Sequence, residues 1–117
     1  MGAGARVVIF NVSSHAVTLS TTLEDWIKEK SKLSGTLAPR TTIDAGYFEY
    51  ANLHTGHIGI AAAIEGSKDQ CMLVIADMDI DQRTSGRTPA LWMEYAKSEL
   101  NGVTTFSMAL YDPPRGS

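Results

Sequence analysis

The sequence predicts an α+β fold: a mostly antiparallel β-sheet or sandwich with two packed helices, in a single domain over residues 1–117. Three observations predict it. Short β-branched runs follow one another across brief turn signals, which favours antiparallel pairing. Two segments, Thr21 to Leu33 and Thr88 to Asn101-Gly102, change to helical spacing. The steady alternation of strand and helix that builds a parallel nucleotide-binding sheet is missing.

Length and composition narrow the function classes. A chain of 117 residues supports one hydrophobic core. Its 44% hydrophobic and 20% charged content belongs to a folded protein, not a disordered one. The net charge is −3 and the basic residues are scattered, which argues against a nucleic-acid partner. No apolar run reaches the ~18–20 residues of a membrane span. Met1-Gly2-Ala3-Gly4-Ala5-Arg6 holds no signal-peptide core, so the sequence as written reads as cytoplasmic, with secretion by another route left open. The one cysteine, Cys71, lies in an apolar stretch without flanking basic residues and reads as a buried structural thiol.

The elements follow in order. Arg6 to Val12 is almost continuously apolar and reads as a strand covered on both faces. Ser13-Ser14-His15 turns the chain, and Ala16 to Ser20 returns. Asn11-Val12-Ser13 matches a glycosylation sequon. Thr21 and Glu24 have capping-box spacing, and Leu23, Trp26, Ile27 and Leu33 share a helical stripe, predicting a helix of roughly ten residues. Thr41 to Ile43 reads as a short strand, and Gly46 to Tyr50 as a strand or an exposed aromatic loop. In His57 to Ile64 the bulky residues face one way and Gly59, Ala61 and Ala63 the other, a surface that a helix or sheet approaches closely. Cys71 to Ile80 returns as one strand. Thr88-Pro89 reads as a helix start, Leu91, Trp92, Tyr95 and Leu100 as its apolar stripe, and Asn101-Gly102 as its stop. Val103 to Tyr111 closes the fold as a strand.

Three groups carry candidate chemistry. On a strand, Asp77, Asp79 and Asp81 would project from one face roughly 6.5–7 Å apart. They are candidate metal ligands, although a solvated strand end beside Arg83 and Arg87 accounts for them as well. The EF-hand pattern fails, with Gln82 and Thr88 where glycine and glutamate belong. His54 and His57 lie three residues apart without a third zinc ligand or a nucleophile elbow, and read as polar loop residues. Tyr47, Phe48 and Tyr50 cannot all point inward from one strand, so the segment offers an aromatic contact for sugar faces, lipid headgroups or protein. Trp26 and Trp92 sit on apolar helical faces and read as core.

A family resemblance rests on specific residues. Ser34-Gly35-Thr36, Pro39, Gly46, Tyr50, the run Thr55-Gly56-His57-Ile58-Gly59-Ile60-Ala61, and Leu73-Val74-Ile75 ending at Asp79 resemble the central strands of actinoporin-like cytolysins. Val8-Ile9-Phe10-Asn11-Val12-Ser13-Ser14 is similar to the first strand of actinoporins and fungal aegerolysins. The resemblance implies a β-sandwich and binding of lipid headgroups or glycans. The chain departs from the pattern where those cytolysins carry a Trp- and Tyr-rich site and this sequence reads Asp77-Met78-Asp79-Ile80-Asp81-Gln82. It also lacks an amphipathic helix before the first strand and a long C-terminal half, so an aegerolysin-like lipid binder or related lectin fits better than a pore former.

The leading expectation is a non-enzymatic recognition module for lipid headgroups or glycans, using Tyr47, Phe48, Tyr50, His54 and His57, with no cofactor. The alternatives are a small intracellular protein-interaction domain working as a homodimer through the small-residue strand face, and a small enzyme using His54, His57 and the three aspartates.

Overall fold

Alternation of buried and more exposed residues, the mark of strands covered on one side, runs along residues 4–11, 17–23 and 105–111. The structure is a computed structural model that describes residues 3–114, with only the backbone of residues 44, 45 and 100. Within them lie ten β-strands: β1 (Gly4–Asn11), β2 (Val17–Asp25), β3 (Ile27–Ser31), β4 (Gly35–Leu37), β5 (Thr41–Tyr50), β6 (His57–Ile64), β7 (Gln70–Ala76), β8 (Asp79–Ile80), β9 (Trp92–Leu100) and β10 (Val103–Tyr111). They form two five-stranded sheets, ordered β3-β5-β1-β10-β9 and β4-β2-β6-β7-β8. The predicted antiparallel pairing dominates, with one exception: β1 and β10 run parallel at the centre of the first sheet.

No helix occurs among the described residues, and none is long and apolar enough to cross a membrane. The α+β expectation with two packed helices is therefore corrected to an all-β sandwich. In the first predicted helix, β2 pairs with β6 as far as Asp25 and β3 pairs with β5 from Ile27. Trp26, with φ 62°, forms the corner at which the chain passes from one sheet to the other. Glu24 forms an ion pair with Lys30, and Lys28 reaches Glu49 at 4.0 Å. In the second, Thr88 does act as a local cap: its Oγ1 accepts the Leu91 N–H at 2.9 Å. The chain then extends into β9 instead of coiling. Asn101 and Gly102, both at positive φ, form a two-residue hairpin from Leu100 to Val103. Asn-Gly is the strongest short hairpin signal, and it stops no helix here.

Two further readings change. β1 is covered on one face only: Ala5, Val7, Ile9 and Asn11 are buried while Phe10 is exposed. The predicted strand Cys71 to Ile80 is a hairpin, because Asp77 and Met78 (φ 50° and 66°) turn the chain between Ala76 and Asp79. The terminal residues Met1-Gly2, read above for a leader, and the side chain of Leu100 lie outside the described set.

The two inner faces merge into one core. Val7, Ile9, Phe48, Tyr50, Phe106, Met108 and Leu110 of the first sheet join Leu19, Ile58, Ile60, Leu73 and Ile75 of the second. Phe48 packs edge-on against Tyr50, with ring centroids 5.4 Å apart. Cys71 is buried here, and burial pushes its thiol up to about 11. The folded thiol holds its proton more tightly than an unfolded one, which titrates near ~8.5. Its contribution is whole below that value and is lost as pH rises through about 11, with a slope of up to ~1.4 kcal/mol per pH unit.

At the end of β1 the core contains a polar knot. Asn11, 1% exposed, donates through Nδ2 to the carbonyls of His15, Leu37 and Ala38, and its Oδ1 accepts from the N–H and hydroxyl of Ser13. The sequon asparagine is thus committed inside the fold and gives no glycan attachment point there. Asn11→Ala should cost about 1–3 kcal/mol for each buried partner left unsatisfied, read from urea unfolding at neutral pH. A loss below that of a surface substitution would mean that water satisfies the freed carbonyls. Cys71→Ala should flatten the alkaline fall of stability between about pH 9 and 11. An unchanged alkaline limb would assign that fall to other groups.

Candidate functional site

One end of the sandwich concentrates unusual backbone. β2, β5 and β7 finish there, and β1, β3, β6 and β10 begin there, as their pairings require. Among the described residues, five of the seven non-glycine residues at positive φ lie at this end: Trp26, Leu53, Asp77, Met78 and Asn101. Left-handed geometry costs about 1–3 kcal/mol for a non-glycine residue and persists only when the surroundings enforce it. Here they do. Ala51 N–H donates to the Trp26 carbonyl at 2.7 Å, and Ala3 N–H donates to the Leu53 carbonyl. Asp77 exchanges bonds with Gly56: its N–H donates to the Gly56 carbonyl at 2.9 Å, and its Oδ1 accepts the Gly56 N–H at 2.9 Å.

Tyr50 ties the two sheets at this end. Its ring is fully buried, and its hydroxyl accepts the Met78 N–H at 3.0 Å. Burial is the largest influence on the phenol and raises its pKa. Gly56 lies flat against that ring: a Cβ there would stand 2.5 Å from the Asp25 carbonyl and 2.9 Å from Tyr50 Cδ1, at φ 149°. Only glycine fits.

The predicted aromatic contact divides. Phe48 and Tyr50 are fully buried on the inner face, and Tyr47 alone points outward, 40% exposed. Strict alternation on β5 produces that split, so Phe48 and Tyr50 are removed from any ligand-contacting surface. His54 lies exposed in the turn between β5 and β6. His57 opens β6 opposite Asp25, with Nδ1 3.5 Å from Asp25 Oδ2 and no hydrogen bond. The three aspartates do not converge, because the Asp77-Met78 turn breaks the strand that would align them. Asp77 serves Gly56, Asp79 Oδ1 accepts the Ile80 N–H, and Asp81 binds Arg83 at 2.8 Å. The Arg83 hydrogen bonds hold the Asp81 carboxyl below its ordinary value. Among the described residues, no group of three or more His, Cys, Asp or Glu side chains could hold a metal ion.

The small-residue face of β6 is already filled. A Cβ at Gly59 would lie 2.7 Å from Thr22 Oγ1 and 3.2 Å from Leu23 Cβ, where β2 bulges over it. Ala61 is 2% exposed and paired with Met72, whose sulfur accepts from Thr22 Oγ1. The chain's own side chains thus occupy the surface expected to receive a helix, a sheet or a second protomer.

The sequence reading missed two groups. Trp26, expected in the core, is 66% exposed, and Leu53 beside it is 62% exposed. Reading Thr21 to Asp25 as the continuation of a strand would have placed Trp26 at a corner. Trp92, also expected in the core, lies half-buried on the outer face, edge-on to Tyr111 and with the Arg87 guanidinium 3.9 Å from its ring centre.

Tyr50→Phe keeps the ring and strands the Met78 N–H, so it should lower stability by about 1–3 kcal/mol while leaving the core packed. Equal urea midpoints for the variant and the parent protein would show that the tether is dispensable. No protein-family model matches the chain, and no curated protein matches it either.

Proposed function

We propose that this chain is a non-enzymatic recognition module that docks on membrane lipid headgroups through the loop end bearing Trp26 and Leu53. The observation that carries the reading is the conformation of Trp26. A large aromatic residue is held out in solvent, in a strained left-handed geometry, by a backbone hydrogen bond from Ala51. Folding alone gains little from this arrangement, since burying the indole would contribute more. A tryptophan with an apolar body and one N–H donor suits the boundary between headgroups and acyl chains. Leu53, anchored through Ala3, supplies a second apolar contact at the same end. The resemblance of Val8 to Ser14 and Thr55 to Ala61 to actinoporin-like and aegerolysin strands supports the same reading. Phe48 and Tyr50 support the loops from beneath.

Trp26 reports on its own docking. In a Trp92→Phe background, adding phosphatidylcholine vesicles should shift tryptophan emission to the blue. Trp26→Ala should weaken vesicle co-sedimentation by about tenfold, the equivalent of ~1.4 kcal/mol. Unshifted emission together with unchanged sedimentation of Trp26→Ala would sink this function.

A further inference from the structure

We propose that the cavity at the far end of β1, beside the turn that carries Arg40, binds an aromatic monocarboxylate, its carboxylate on Arg40 and its ring against Phe10 and Val12. The site lies at the opposite end of the sandwich from Trp26 and does not rest on the membrane-docking reading. The cavity encloses about 280 Å³ and is lined by Phe10, Asn11, Val12, Arg40, Thr41 and Thr42. That is just below the usual range of ligand clefts and suits one ring with a short acidic arm.

Strand register and a buried asparagine build the cavity. Phe10 lies opposite Thr42, and Asn11 opposite Thr41. Asn11 Nδ2 donates to the Leu37 and Ala38 carbonyls at 3.2 and 3.0 Å, which pins the chain entering the turn to β1. Thr41 Oγ1 donates to the Ala38 carbonyl at 2.6 Å and closes the turn. Pro39 stiffens it further, because its ring fixes φ. Arg40 is therefore presented from a rigid support, and less conformational freedom is lost when a ligand binds.

Two observations point to a ligand. Arg40 stands at φ 57°, a backbone position where glycine or asparagine is relaxed and arginine is strained. Its side chain returns nothing to the fold: among the described residues it has no hydrogen bond or ion pair. Beside it Phe10 is 38% and Val12 57% exposed, apolar surface that packing leaves uncovered. A free cation and uncovered apolar side chains in one cavity are complementary to an anion with an apolar body.

The groups select the class of anion. One guanidinium offers the two parallel N–H donors that a carboxylate accepts. The Thr42 hydroxyl, opposite Phe10, supplies a further donor. A phosphate monoester carries about −1.5 to −2 charge, which a single cation does not balance. Paired rings attract each other beyond the area they bury, so Phe10 favours an aromatic body over an aliphatic one.

The test titrates the isotope-labelled full chain with phenylpropionate and follows the amide NMR shifts of the residues that line the cavity. Those shifts should saturate. Phenylpropanol, propionate and inorganic phosphate should each bind about tenfold more weakly, or less. Arg40→Gln should make the acid and the alcohol equal, and Phe10→Ser should make phenylpropionate and propionate equal. Arg40→Gly should abolish the preference for the acid without lowering the melting temperature, since glycine relaxes a positive φ. A marked fall in melting temperature would mean that the arginine serves the fold, and the proposal would go. It is equally overturned by shifts that do not saturate, by any comparison ligand matching phenylpropionate, or by an acid preference that survives Arg40→Gln.

Discussion

The Tyr50 hydroxyl holds the candidate surface in place. Tyr50 belongs to β5 in one sheet, and its hydroxyl accepts a hydrogen bond from Met78 in the turn that ends the other. The ring is buried where the sheets meet, so the bond forms away from water, where leaving it unmade is costly. Around it the loop end assembles in layers. Gly56 lies flat on the ring, Asp77 closes on Gly56 from both backbone and side chain, and Ala51 continues from Tyr50 to fix Trp26. If the tether were lost, several strained residues would lose their common support.

The two ends of the sandwich use opposite devices. At the end of β1, Asn11 gathers three carbonyls and Ser13 into a buried polar knot, with Phe10 and Val12 exposed on either side of it in the chain. At the loop end the polar bonds go to backbone that is held in left-handed turns, and Trp26 and Leu53 remain outside. Strain and exposed apolar surface occur together there. A rigid frame keeps such a surface presented without letting it collapse into the core. Asp77, Asp79 and Asp81 are dispersed onto three separate partners around it.

The outer faces are treated differently as well. On the β2–β6–β7 sheet, the bulge of β2 and the thioether of Met72 cover Gly59 and Ala61, so this face is closed by its own side chains. On the other sheet, Arg6, Tyr47 and Glu49 stand on β1 and β5 around a groove, and Phe10 is exposed farther along β1. The bare outer face of β1 explains why its apolar run misleads: Phe10 reads as core from its neighbours but has no layer above it.

The strands that carry strong alternation or β-branched runs, namely β1, the first half of β2, β6, β7 and β10, were legible in their own residues. So were the buried state of Cys71 and the outward aim of at least one residue among Tyr47, Phe48 and Tyr50. These features are local, since a side-chain period of two and apolar content fix them before any partner is known. The two helices were read from spacing that a strand satisfies equally well. Thr21 to Leu33 and Thr88 to Gly102 each place apolar residues at intervals compatible with either period, and pairing with β6, β5 and β10 decides between them. Long-range pairing makes Trp26 a corner, Asp77-Met78 a turn, and Gly4, Tyr47 and Val103 the lining of one groove. Each depends on contacts between residues far apart in the chain, and propensity summed along a window carries no record of such contacts.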